Sequence, residues 1–84
     1  MTLQEARDTV KLIREVAGAG GLEEAHVHED DLRQGILEEI LRLTLTLDTS
    51  KSYDIAIDLI TQIYELAEIA LSTSEIDFER LYSE

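Results

Sequence analysis

The chain has 84 residues and a net charge of −12, and it contains no cysteine and no proline. This length supports one domain with a single modest core, so we treat residues 1–84 as one acidic domain. Without cysteine there is no disulfide, no thiolate nucleophile and no cysteine-ligated metal. The negative charge disfavours direct binding to nucleic acid or to an anionic membrane surface. It favours fast approach to a protein with a basic surface.

The hydropathy pattern gives no membrane segment, because no apolar run approaches the ~18 residues that a transmembrane helix needs. The N-terminal residues mix charged with apolar side chains and do not resemble a signal peptide. We therefore expect a soluble, cytoplasmic protein.

The first helix is predicted by its cap and its periodicity. Thr2 and Glu5 match a capping box, in which each side chain accepts a hydrogen bond from the other residue's backbone N–H. Apolar residues then recur at intervals of three and four: Leu3, Ala6, Val10, Ile13 and Ala17. This narrow stripe predicts a peripheral helix. Gly18 ends it, and Gly20 and Gly21 extend the break.

The second helix is predicted to follow an acidic segment. Residues 22–31 favour a loop or a short turn, with Asp30 or Asp31 near the start of the helix, where carboxylates suit the helix dipole. One apolar face then comprises Leu32, Ile36, Ile40, Leu43 and Leu47. A second apolar face comprises Leu37, Leu41 and Leu45. Residues 41–47 also alternate like a strand, which leaves strand addition between two copies as an alternative. A helix is favoured because no second strand is available for pairing.

The third helix is predicted to follow a polar turn at residues 48–52 and to cover residues 53–71. Its polar residues fall within about 120° of arc: Asp54, Asp58, Thr61, Gln62, Glu65, Glu68 and Ser72. The apolar arc is therefore roughly 200° wide, about twice what one core requires. One flank of this arc holds Ile55, Leu59, Ile63 and Leu66, and the other holds Ile57, Ile60 and Tyr64.

A short last helix is predicted by a second capping box, formed by Ser72 and Glu75. Its docking residues would be Ile76, Phe78, Leu81 and Tyr82. The predicted fold class is therefore all-α: a small bundle of three main helices plus a short C-terminal helix.

The surplus of apolar surface on the second and third helices predicts a symmetric homodimer in which these helices pair. A monomer whose last helix folds back over the exposed flank is the alternative. The residues predicted to make the apolar contact are Leu37, Leu41, Ile57 and Tyr64. The residues predicted to form an acidic rim are Asp54, Asp58, Glu65 and Glu68.

Signals for chemistry are weak. His26 and His28 could hold a metal on a strand, with Glu24 or Asp31 as further ligands. On a helix the two rings would point about 200° apart, so a solvated polar segment is the favoured interpretation. The carboxylate pairs lie on predicted polar faces, and no nucleophile motif or phosphate-binding loop is present. We therefore expect no enzymatic activity, no metal and no other cofactor.

These features predict a small protein-interaction module, such as an adaptor, an immunity protein or antitoxin, or a phage-type inhibitor. The alternative is a nucleic-acid mimic whose acidic surface blocks a DNA- or RNA-binding groove. Charge density weakens this alternative. Residues 54–68 span roughly 21 Å, over which duplex DNA displays about 12 charges, whereas this helix offers four.

Overall fold

The structure, a computed structural model, describes residues 1–76 as three α-helices followed by a 3₁₀ turn. The elements are α1 (Leu3–Gly18), α2 (Leu22–Thr49), α3 (Tyr53–Ser72) and the 3₁₀ turn Thr73–Glu75. No strand occurs within the described range, so residues 41–47 are helical and the all-α class is confirmed. Three of the docking residues predicted for a last helix lie outside the described residues: Phe78, Leu81 and Tyr82.

Both ends of α1 form as predicted. The Thr2 hydroxyl accepts from the Glu5 N–H at 3.1 Å, and the Glu5 carboxylate accepts from the Thr2 N–H at 3.4 Å. After Gly18 the backbone reverses at Gly20, whose φ of +85° is accessible to glycine without steric strain. The next N–H, from Gly21, donates to the carbonyl of Val16 at 2.9 Å and closes the turn. α2 therefore starts antiparallel to α1.

The structure corrects the prediction of a loop over residues 22–31, because α2 includes the whole segment. The reason is a continuous buried stripe in which Ala25, Glu29 and Leu32 follow one another at helical spacing. Glu29 is fully buried, and its carboxylate lies 3.6 Å from the guanidinium of Arg33 one turn later. A carboxylate counts as a surface residue in sequence patterns, so this stripe was hidden. The resulting helix of 28 residues is about 42 Å long.

The helices differ in length, and this difference sets the shape of the molecule. Met1 lies at the side of α2 beside Gly35, where a Cβ would sit 2.9 Å from the Met1 Cε, and its ammonium is 3.4 Å from the Glu39 carboxylate. α1 therefore reaches only to the level of Glu39, whereas α2 continues for ten more residues. α3 returns along α2 after a three-residue connection. The described part of the chain measures 48 × 26 × 16 Å.

We divide the described chain accordingly. The three-helix end comprises residues 1–39 and 64–76, and the hairpin end comprises residues 40–63, where only α2 and α3 are present. The buried apolar residues are Ala6, Ile13, Ala25, Leu32, Ile36, Leu43, Leu59, Leu66 and Ile76. Only Leu43 and Leu59 of these belong to the hairpin end, so the core lies mainly in the three-helix end.

The predicted capping box at Ser72 and Glu75 is wrong. Ser72 is the last residue of α3 and keeps helical dihedrals, and its hydroxyl donates to the carbonyl of Ile69 at 2.7 Å. The following Thr73 is buried, and its hydroxyl accepts from the Arg33 guanidinium at 3.2 Å. This bond ties the end of α3 to the first half of α2.

In the part of the chain described, no helix combines the length and apolar character needed to cross a bilayer.

Candidate functional site

Three leucines of α2 form an exposed row, which we call the α2 row: Leu37, Leu41 and Leu45, with 52, 55 and 71% of their surface accessible. Their spacing of four residues places them on successive turns. Leu37 is two residues, and so about 200° of rotation, from both Gly35 and Glu39, which face Met1, just before the start of α1. The α2 row therefore begins on the side of α2 that faces away from α1.

A second exposed row runs along α3, which we call the α3 row: Tyr53, Ile57, Ile60 and Tyr64, with 80, 46, 53 and 64% of their surface accessible. Intervals of four, three and four residues keep these side chains within about 60° of arc. The buried Leu59 and Leu66 lie on the other side of the helix. Because α2 and α3 are antiparallel neighbours, the two rows run antiparallel along the hairpin.

All four residues predicted to make an apolar contact belong to these rows: Leu37, Leu41, Ile57 and Tyr64. The structure shows that they are exposed, and their role in binding stays a prediction. The contact residues predicted from the sequence did not include Leu45, Tyr53 and Ile60, which complete the rows. The signal for Tyr53 was available, because it precedes Ile57 by four residues and Ile60 by seven.

Four carboxylates lie beside the α3 row and form an acidic stripe: Asp54, Asp58, Glu65 and Glu68. Helical geometry places them within about 80° of arc, centred roughly 90° from the α3 row. Three of them are exposed and Glu65 is half-buried. None of them forms an ion pair with another residue of the described range. The stripe therefore presents unneutralised negative charge next to apolar side chains.

Tyr64 and Glu68 connect the row to the stripe. The Glu68 carboxylate, one turn after Tyr64, raises the pKa of the Tyr64 hydroxyl above its ordinary value, through hydrogen bonding and through its negative charge. The shift moves the pKa of this phenol further from physiological pH, so Tyr64 is neutral and adds no charge at the border of the apolar surface.

Glu39 lies at the level of α2 that the N-terminal end of α1 reaches. The hydrogen bond from Arg42 lowers the pKa of Glu39, burial opposes that shift, and the Met1 ammonium lowers the pKa further. This carboxylate is therefore ionised and partnered, in contrast to those of the acidic stripe.

The two histidines each pair with one carboxylate of α2. The Nε2 of His28 lies 3.5 Å from Glu24, and the Nε2 of His26 lies 3.4 Å from Asp30. Because the histidines are two residues apart on a helix, these pairs point in nearly opposite directions. Asp31, the other candidate ligand, takes no part in either pair. In residues 1–76, no group of three or more histidine or carboxylate side chains has the arrangement of a metal site.

No pocket is present in the described part of the chain. Comparison of the chain with protein families, with curated proteins and with solved structures finds no match.

Proposed function

We propose that this protein is a non-enzymatic interaction module that binds a specific protein partner through the apolar rows, with the acidic stripe as a rim. An adaptor, an immunity protein or antitoxin, and a phage-type inhibitor all belong to this class. The observation that carries the proposal is the exposure of seven large apolar side chains along two adjacent helices.

The size of this surface supports the proposal. A fully exposed Leu or Ile side chain presents about 130 Å² and a Tyr about 200 Å², so the rows expose roughly 650 Å² of apolar surface. Soluble monomers rarely expose apolar patches of more than a few hundred Å² unless the patch binds something. Two tyrosines within the rows fit this view, because aromatic residues are enriched in binding surfaces.

The acidic stripe supports a partner with a basic surface. Its four carboxylates lack cationic partners in the described range, and the whole chain carries −12. Such a field accelerates approach to a positively charged protein and repels nucleic acid. We assign the carboxylates to steering and rim contacts, and the apolar rows to most of the affinity.

Nucleic-acid mimicry is the second candidate, and the unpaired acidic stripe is the observation that favours it. Salt separates the two candidates. A mimic that depends on the stripe loses its target steeply as ionic strength rises, whereas a complex that depends on the apolar rows changes little.

The test is affinity capture from native lysate with matched variants. Leu41→Asp and Tyr64→Asp place a charge in the α2 row and the α3 row. Val27→Asp is the control, because this substitution adds the same charge at a residue outside the rows. Val27 is on the same helix as Leu41 and is 52% exposed. We expect a protein that wild type and the control retain and that both row variants lose.

Retention of the same proteins by all variants contradicts the apolar contact. A protein lost by Asp54→Asn/Asp58→Asn but retained by Leu41→Asp indicates mimicry. Circular dichroism of each variant confirms that the helices remain folded.

A further inference from the structure

The hairpin end is a two-helix layer that the rest of the described chain does not cover. α1 reaches α2 only as far as Glu39, and the last ten residues of α2 extend about 15 Å further. In a bundle, each helix buries its apolar stripe against at least two neighbours. In the hairpin end, each helix has only one neighbour within the described range.

Exposure follows this geometry. Residues 40–63 contain six of the large apolar side chains that are exposed: Leu41, Leu45, Tyr53, Ile55, Ile57 and Ile60. Five of them belong to the two rows. Ile55 lies on the opposite side of α3 from Ile57 and is still 55% exposed, although the sequence pattern grouped it with the buried Leu59.

The area of the rows within the hairpin end matches what one subunit contributes to a dimer. At about 130 Å² per aliphatic side chain and about 200 Å² per Tyr, the five row residues expose roughly 450 Å². Homodimer interfaces are about 65% apolar, so this corresponds to about 700 Å² per copy once polar neighbours are included. Stable interfaces bury about 800 Å² per partner.

The charge of the hairpin end also permits self-association. Residues 40–63 contain Arg42, Lys51 and three aspartates, so this segment contributes only −1 of the net −12. The remaining −11 lies elsewhere in the chain. Two copies repel each other least if their hairpin ends overlap and their three-helix ends point in opposite directions, because surface charges are screened beyond about 8–10 Å.

Three threonine hydroxyls of the hairpin end already have an acceptor within their own helix. The hydroxyls of Thr44, Thr46 and Thr61 donate to carbonyls four residues earlier, at 2.7, 3.0 and 2.9 Å. These residues therefore present their methyl groups, and covering them leaves no hydroxyl donor without a partner.

We propose that a second copy of this chain docks on the hairpin end, so that α2 and α3 of both copies form an antiparallel four-helix layer around a two-fold axis. The inference rests on the proposed function, because it names the partner for one part of the apolar rows. Glu65 and Glu68 of each acidic stripe belong to the three-helix ends, so they remain at opposite ends of the dimer, available to a basic target. The contact is isologous, so each row residue of the hairpin end is buried once in each of the two copies.

Sedimentation equilibrium and light scattering of the 84-residue chain test this proposal. Wild type is expected to show twice the 9.5 kDa chain mass at micromolar concentration. Leu45→Asp and Ile57→Asp are expected to raise the dimer dissociation constant at least about 100-fold, because each adds two desolvated charges to the interface. Both residues are exposed in the single chain, so folding is retained, and Leu45→Ser is a milder second variant.

Val27→Asp is the matched control and is expected to remain dimeric. The proposal is overturned by a wild-type mass of 9.5 kDa at all concentrations, by dimers that survive both row substitutions, or by equal loss in the control. A monomer that still captures a Tyr64-dependent target overturns the dimer and keeps the proposed function. A dimer that captures no such target keeps the dimer proposal and overturns the proposed function.

Discussion

The two ends of the molecule share one long helix but use it differently. In the three-helix end, α2 lies between α1 and α3, and Leu32 is fully buried. In the hairpin end, the same helix has α3 alone beside it, and Leu45 is 71% exposed. Periodicity decides which side of a helix faces its neighbour, but the number of neighbours decides how wide a face is covered. The contrast between the ends therefore comes from the lengths of the helices and not from their composition.

The largest expected effect comes from removing the same side chain at each end. Leu32→Ala deletes a fully buried side chain and is expected to lower the free energy of unfolding by about 2–5 kcal/mol. Leu45→Ala is expected to change it by less than about 0.5 kcal/mol when the protein is dilute enough to be monomeric. Urea denaturation followed by circular dichroism measures both. Equal losses would show that Leu45 is covered within the single chain.

An intermediate effect is expected from the two arginines of α2 that pair with glutamates. Arg33 bonds the fully buried Glu29 and also the Thr73 hydroxyl, so Arg33→Met is expected to destabilise the fold by about 1–3 kcal/mol. Arg42 is 64% exposed and bonds Glu39 within the same helix, so Arg42→Met is expected to change stability by under about 1 kcal/mol. Thermal unfolding of the two variants under one buffer condition gives the comparison. A larger loss of stability for Arg42→Met than for Arg33→Met would contradict the assignment of the stabilising interactions to Arg33 in the three-helix end.

The smallest contrast is expected between two helix caps. Thr2 caps α1 through a 3.1 Å bond, and Thr2→Ala is expected to lower the free energy of unfolding by about 1 kcal/mol. Ser52 caps α3 through a long bond of 3.5 Å to the Ile55 N–H, so Ser52→Ala is expected to lower it by under about 0.5 kcal/mol. Denaturation midpoints of the two variants are the measurement, and the reverse order would contradict the geometry of the caps.

Sequence periodicity predicted the three helices, the α1 capping box and the division of α2 into two apolar faces. It succeeded because these features depend on local spacing. Leu37 and Leu41 were predicted to be surplus to one core, and the structure leaves both exposed. Dimerisation and partner binding stay predictions, because exposure does not identify what covers a surface.

The misses came from interactions between segments distant in the sequence. The helical start of α2 depends on burying Glu29, which a pattern of apolar residues treats as solvent-exposed. Glu29 pairs with Arg33 one turn later, and the same guanidinium donates a hydrogen bond to Thr73, which is 40 residues further along the chain. The exposure of Ile55 depends on where α1 stops, which the spacing of residues within α3 does not report.

The placement of α2 between its two neighbours has a consequence for how the chain acquires its structure. α1 and α3 each reach α2 through a connection of three residues, and each docks on the helix adjacent to it in sequence. Closing such short loops loses little chain entropy, and domains built this way reach their native state on the order of microseconds to milliseconds. We expect α2 and α1 to organise first, because most of the buried side chains belong to them, with the first turns of α3 ordering last.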